Sequence, residues 1–448
     1  MLWLGLTLLS AAGVLAGTEE DIPDGMPAGP FFFAPWLNTE VLADDNIFRR
    51  AETQGPTADV ATTVRAGVTA SIPIRMSNLE IGYEGSTFFY RDADFVDTET
   101  HTGFAVFDLN FSSSNTLRLE ETYTNGFTEL QRVIDADPGG VGNVSSTEII
   151  RQGVPYSSNV WAVEWQRYAT RRPAWRARIE RSELQYRPQD LPPSNVVGGD
   201  VVPWLDREGW KVEYEYQQPI YRRGQLVGLY EARREDQFEP GPTSNWDPAV
   251  PDSVPLRREE YDGLFVGFRG LIGRNQPLIA RVGYGKLAFR DIQGSAELPS
   301  DFEGIVGNIN WRLPLGGLSN MSVSANRRPL SSIFNTYYII NEMRVRFDRR
   351  FREVSQWGVN LLASSNRYGD IVETTANNVL TVNCLALDED TDIIRHDRAQ
   401  QVEGFWEWIV QPRMAVRLTG THNRRNSNCD QVSYRSNGVG MTFKVGWF

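Results

Sequence analysis

The stretch "GMTFKVGWF", Gly440 to Phe448, closes the sequence. Met441, Phe443, Val445 and Trp447 are apolar, and Thr442, Lys444 and Gly446 lie between them. Successive side chains of a strand point to opposite faces, so this is one strand with an apolar face and a polar face. The same period recurs upstream. "LEIGY" sets Leu79, Ile81 and Tyr83 against Glu80 and Gly82, and "WRARIE" sets Trp175, Ala177 and Ile179 against Arg176, Arg178 and Glu180. "WKVEYEYQ" sets Trp210, Val212, Tyr214 and Tyr216 against Lys211, Glu213, Glu215 and Gln217. "IVGNINWRL" and "MRVRFD" repeat it around Ile309 and Val345. No segment of comparable length carries a helical period of 3.6 residues, so the sequence predicts an all-β chain.

The connections narrow the architecture. Short turns fall near Arg75, Ser113, Arg172, Arg223, Asn275, Gly316, Val354 and Pro412. Longer polar connections fall around Arg50, Phe95, Gly140, Pro193, Ser244, Gly294, Ile333, Ala386 and Asn426. Short and long alternate along the whole chain, as they do where antiparallel strands cross a membrane with tight turns on one side and large loops on the other. The pattern predicts a single antiparallel transmembrane β-barrel of the outer-membrane type, with about 18 strands and 16 as the alternative. A terminal strand ending on an aromatic residue suits such a barrel, although Phe448 is out of phase with the odd-numbered apolar register. In that register Trp175, Trp311, Trp357, Trp408 and Trp447 gather at the short-turn interface, and Trp161 and Trp210 fall at the opposite rim.

The front end and the composition agree. "MLWLGLTLLSAAGVLAG" is too short for a membrane helix and reads as a signal peptide over residues 1–17, without the usual basic start. A short periplasmic segment is expected over 18–30 and the barrel over 31–448. The expected location is the bacterial outer membrane. The hydrophobic fraction of 41% lies below the roughly 45–50% of globular chains, as expected where only the outer wall needs apolar side chains. A net charge of −12 speaks against nucleic acid as a partner. Cys384 and Cys429 are the two cysteines, and in an exported chain they are expected to form one disulfide.

If the apolar face meets lipid, the polar face lines the interior. The expected pore-lining residues are Arg118, Glu120, Glu164, Arg176, Arg178, Glu180, Lys211, Glu213, Glu215, Arg281, Asn308, Asn310, Arg312, Arg344, Arg346, Glu403, Glu407 and Arg417. Glu80, Glu84, Asp108, Asn110, Gln166, Gln217 and Asn360 share that face. Two readings stand side by side. These groups brace the wall by cross-strand pairing in a wide, solvated lumen, or they form a mixed hydrogen-bonding lining for a neutral or mildly charged hydrophilic solute. No ladder of a single sign is present.

No enzyme motif emerges. The histidines His101, His396 and His422 lack metal spacing and a local catalytic pattern, so no catalytic residue, metal or cofactor is expected. The acidic run "LDEDTD", Leu387 to Asp392, lacks the glycine and the distal glutamate of a calcium loop. The first strand is expected near Phe31, which leaves no room in front for a plug domain, and no nucleotide motif offers a source of energy.

The stretch "PFFFAPWLNTEVLADDNIFR", Pro30 to Arg49, adds a resemblance. Through Pro35, Leu37, Glu40, Asp44, Asp45, Asn46, Ile47 and Phe48 it resembles the N-terminal signature of β-barrel porins encoded in exopolysaccharide-production operons; Ala43 stands where a tyrosine is usual. The resemblance implies passive outward passage of a hydrophilic polymer, an exopolysaccharide. Alternatives are a general or nutrient porin for small hydrophilic solutes, and a surface enzyme or adhesin on a barrel scaffold. The expected partners are outer-membrane lipid and lipopolysaccharide, the barrel-assembly machinery, and periplasmic and inner-membrane polysaccharide-export components. The connection from Thr128 to Ser157 is the candidate to fold over or into the pore.

Overall fold

The computed structural model describes residues 26–47, 55–92, 98–127, 155–168, 172–186, 206–221, 223–238, 257–273, 275–291, 301–331, 337–351, 354–368, 396–428 and 433–446. Its strands in chain order are β1 (Met26–Ala28), β2 (Phe31–Asp44), β3 (Asp59–Ile74), β4 (Ser77–Tyr90), β5 (Thr98–Ser112), β6 (Asn115–Phe127) and β7 (Pro155–Arg167). They continue with β8 (Ala174–Tyr186), β9 (Asp206–Tyr221), β10 (Gly224–Phe238), β11 (Arg257–Ile272), β12 (Gln276–Asp291) and β13 (Phe302–Pro314). The last are β14 (Ser319–Ser331), β15 (Tyr337–Phe351), β16 (Ser355–Tyr368), β17 (His396–Gln411), β18 (Met414–Ser427) and β19 (Tyr434–Gly446). From β2 onward each strand pairs antiparallel with the next, and β19 pairs back on β2 with Gly446 opposite Trp36 and Gly438 opposite Asp44. The result is a closed barrel of 18 strands, β2 to β19. Strands about 4.8 Å apart and tilted about 40° close at this number into a cylinder roughly 36 Å across between facing backbones.

Within the short segment expected over 18–30, β1 pairs with Phe31 to Phe33. Because β3 occupies the other edge of β2, β1 lies on the edge that β19 leaves below Trp36. The connection expected from Thr128 to Ser157 is shorter, since β7 already begins at Pro155. Phe48, the run 387–392, Cys384, Cys429, Trp447 and Phe448 lie outside the described residues.

The pairing register sorts every strand into two faces. The outer one carries the exposed apolar rows, among them Leu264 at 64% exposure, Val282 at 56%, Ile305 at 63% and Val439 at 69%. A continuous apolar outer surface over a hydrogen-bonded cylinder is what lipid demands of a β protein, because no backbone group then faces hydrocarbon unpaired. The barrel is an outer-membrane barrel on that ground. Aromatic pairs mark the short-turn end of the outer face, with ring centroids 4.7 Å apart for Trp165 and Trp175, 5.2 Å for Phe347 and Trp357, and 5.7 Å for Phe351 and Trp406. Trp161 is a correction: it sits mid-strand on the outer face rather than at the rim, edge-on to Trp210 at 5.2 Å. No helix among the described residues is long and apolar enough to cross a membrane.

The inner face is not uniformly polar. Toward the long-connection end of β10 to β13, Leu229, Tyr261, Phe265, Leu287, Phe289, Phe302 and Val306 form a buried apolar cluster. Glycines between them, such as Gly263, Gly283 and Gly285, are spaces over which the neighbouring rings lie.

Candidate functional site: the charged inner wall

Every residue expected to line the interior falls on the inner face. Cross-strand rows make this plain: Arg118 stands opposite Glu164, Glu164 opposite Arg178, and Arg178 opposite Glu213. One row down, Gln166, Arg176 and Glu215 stand in line. On the other side of the barrel Asn310, Ser324 and Arg344 form a row, as do Arg312, Ser322, Arg346, Asn360, Glu403 and Thr421.

The β5 to β12 half is a connected ion-pair network. Arg118 reaches Asp108 at 3.5 Å and also bonds Glu120. Arg178 holds Glu120 at 2.7 Å, Glu180 at 3.1 Å and Glu164 at 3.6 Å. Arg176 holds Glu213 at 3.0 Å, and Lys211 holds the same carboxylate at 2.8 Å. Glu215 is fully buried and gathers Arg281 at 2.6 Å, Arg269 at 3.0 Å and Arg176 at 4.0 Å. Arg281 belongs to β12 and Glu215 to β9, so this pair spans two intervening strands. Gly267 permits the crossing, because a Cβ there would lie 2.9 Å from the Arg281 Cγ. Its side chain rests on bare backbone.

The β13 to β17 half is more open. Arg346 is half exposed and meets Asp348 at 3.3 Å, and Arg344 meets Glu342 at 3.7 Å. Among the described residues Arg312 and Glu403 have no ion-pair partner within 4.0 Å, and Asn308 and Asn310 stand beside them as amides. Glu407 closes the circuit, accepting from Arg417 at 2.8 Å and from Lys444 at 2.9 Å.

Sequence reasoning missed several members. Arg269, Arg233 and Glu259 also face inward, and Arg233 bonds Glu259. Arg233 was hidden inside "EARRED", where consecutive charges blur the alternation, and Arg269 inside "GFRGLI", a lone charge in an apolar run. Trp36 is inward as well, its ring lying where a Cβ on Gly67 would come within 2.7 Å.

The stretch that carried the family resemblance has a structural task of its own. Ser436 Oγ on β19 donates to both carboxylate oxygens of Asp44 at 2.8 Å. Asp45 accepts from the Asn437 backbone N–H at 2.7 Å and from its Nδ2 at 2.6 Å. Asn46 Nδ2 donates to the Arg435 carbonyl at 3.0 Å, and Ile47 is buried. Asp44, Asp45 and Asn46 therefore latch the first barrel strand to the last.

The three histidines lie on the outer face. His101 contacts Tyr83 Oη at 2.7 Å, His422 contacts Asn437 Oδ1 at 2.8 Å, and His396 contacts Ser365 Oγ at 3.1 Å. The described residues place no carboxylate behind the Ser365–His396 pair and hold no group of three metal-ligating side chains.

No protein-family model matches the sequence, and a search of curated proteins found no match. Solved structures similar to the chain include outer membrane protein opdK of Pseudomonas aeruginosa, with 12% identity over 93% of this chain and 99% of that one and a TM-score of 0.44. The FrpB iron transporter of Neisseria meningitidis gives 9% identity, 92% and 64% coverage and a TM-score of 0.48. The copper transporter OprC gives 8% identity, 88% and 61% coverage and a TM-score of 0.49. Likenesses this distant leave what those proteins carry with those proteins.

Proposed function

We propose that the chain is an outer-membrane channel for passive export of a hydrophilic polymer, an exopolysaccharide. The observation that carries this reading is the self-compensation of the inner wall. Each carboxylate of the β5 to β12 network is engaged by guanidinium or ammonium groups a few ångströms away, so the wall presents polar contacts without a strong field of one sign. Such a wall exchanges hydrogen bonds with sugar hydroxyls as a chain slides, and weak, repeated contacts favour passage over trapping. The pore-lining role belongs to seventeen of the eighteen inner-face residues named from the sequence; Glu215, fully buried, braces the arginines behind them. The N-terminal resemblance points the same way. The partners required are a synthesis system and a periplasmic component that deliver the polymer, since passive passage needs a supply from below.

A second reading, a porin for small hydrophilic solutes, draws on Arg312 and Arg346. They flank the small Ser322 on the exposed part of the wall, where two guanidiniums suit a small anion. Gene deletion separates the two. The export reading expects surface polysaccharide to fall while small-solute uptake and growth hold. Intact polysaccharide with impaired uptake moves the assignment to the porin.

A further inference from the structure

Four exposed arginines stand together on the outer face at the long-connection end of β16 to β19: Arg367, Arg398, Arg424 and Arg435. Each follows the outward alternation of its strand, in phase with the exposed Leu361, Val402, Leu418 and Val439. Arg424 stands directly opposite Arg435, and like charges so placed repel across a ladder. None of the four has an ion-pair partner among the described residues. The outer rows of β15 to β19 contain no Asp or Glu among those residues. Asp397 faces inward and bonds Arg425, and Asp45, at the β2 edge of the arc, accepts from Asn437.

The same end of β10 to β13 is built differently. There Arg258 and Arg290 also stand opposite each other, yet Arg258 has Asp236 at 2.6 Å and Arg290 has Glu260 at 2.8 Å. Arg234 has Asp236 at 3.4 Å, and Lys286 has Glu303 at 4.0 Å. The outer rim is therefore self-neutralised on one arc and left with unanswered positive charge on the other. An anion from outside the chain is what the second arc lacks.

Position and spacing identify that anion. Val402 and Val439 lie four residues from Arg398 and Arg435, about 10 Å lower along the membrane normal for strands tilted about 40°. The arginines thus stand above the hydrocarbon, at the level of lipid headgroups. Long connections of outer-membrane barrels face the exterior, so these are headgroups of the outer leaflet. Four neighbouring strands spread the guanidiniums over about 14 Å, more than a single phosphate covers. A sugar headgroup with a phosphate at each end matches that spread, and guanidinium forks bind phosphate bidentately. Gln400, exposed and opposite Arg424, adds an amide for its hydroxyls.

We propose that the outer face of β16 to β19 at the long-connection end holds one lipopolysaccharide molecule. Its phosphorylated sugar headgroup lies on Arg367, Arg398, Arg424 and Arg435, and its acyl chains run down the apolar rows below. The site is independent of what the lumen conducts.

The test titrates the full-length, delipidated barrel in detergent with purified lipopolysaccharide and counts bound lipid by native mass spectrometry. One tightly held molecule per barrel is expected. Lipopolysaccharide stripped of its phosphates is expected to bind more weakly by on the order of tenfold or more, a result that needs no variant. Arg424→Gln combined with Arg435→Gln is expected to weaken binding of the intact lipid to a similar degree. Arg234→Gln combined with Arg290→Gln, on the self-neutralised arc, is expected to leave it unchanged, and heat-dependent gel mobility reports that both variants are folded. Phosphatidylglycerol, with one phosphate, and inorganic phosphate are expected to compete poorly. Equal binding of intact and phosphate-free lipid, unchanged affinity after the Arg424 and Arg435 substitutions, equal loss in both double variants, or ready displacement by phosphatidylglycerol or inorganic phosphate overturns the proposal.

Discussion

Replacing Glu215 with Gln keeps the shape of the side chain and removes its charge. Glu215 is the most enclosed carboxylate of the inner network, with Arg281 at 2.6 Å and Arg269 at 3.0 Å. At an effective dielectric near 20, each contact at about 3 Å is worth roughly 5 kcal/mol of attraction, and most of that offsets the loss of hydration. Without the charge, Arg269 and Arg281 face each other across the same pocket, and Arg176 keeps only Glu213 and Glu164. Breaking a buried pair by deleting one partner costs about 3–5 kcal/mol, and Glu215→Gln is expected within that range. The matched control is Asp348→Asn, whose partner Arg346 is 48% exposed and which is expected to cost under about 1 kcal/mol. Urea unfolding of the barrel in vesicles, followed by tryptophan fluorescence and by the heat-dependent shift in gel mobility, measures both. Equal midpoints for the two variants would refute the claim that this wall is held by its enclosed carboxylate.

Three further outcomes follow from other parts of the molecule. Val345 lies on the outer face between Val323 and Leu361, so Val345→Arg near mid-membrane is expected to cost about 2–4 kcal/mol, whereas Ser364→Arg, inward and opposite Glu342, is tolerated; equal losses in urea titrations would contradict the facing. Asp44→Ala strips Ser436 and the Asn46 N–H of their acceptor and is expected to cost about 1–3 kcal/mol, read as a lower temperature for losing the compact gel form. Cys384 and Cys429 are expected to be bridged in protein from an oxidising compartment, and alkylation of both without reductant, seen by mass spectrometry, would show otherwise.

The faces of the wall were legible in the sequence because a strand needs only a period of two. "WKVEYEYQ" already separated Lys211, Glu213 and Glu215 from the lipid side, and the register agrees. What each charge touches was not legible. The Arg281–Glu215 bond depends on Gly267 clearing a path over two strands, and no local pattern encodes a contact between positions 66 residues apart. The end of the β13–β14 ladder at Gly307 and Arg327 was hidden for a different reason. "SVSANRRPLS" reads as a strand with a proline near its end, and only the pairing shows that this proline falls where a ladder bond to Ile305 would have formed. The acidic pair before Ile47 stood out in the sequence, but its partners lie at the far end of the chain.

That separation bears on how the barrel assembles. All pairings but one within the 18-strand cycle join strands adjacent in the chain, so they can zip as successive hairpins whose loop-closure entropy is modest. The exception brings Asp45 to Asn437 across 392 residues, and it becomes cheap only once the other seventeen ladders have set the ends side by side. The latch thus belongs to the final step of folding and the first step of opening. Contacts absent from the folding transition state act on the rate of unfolding rather than on the rate of folding. Weakening Asp44 or Asp45 should shorten the lifetime of the closed barrel while leaving its rate of formation nearly unchanged.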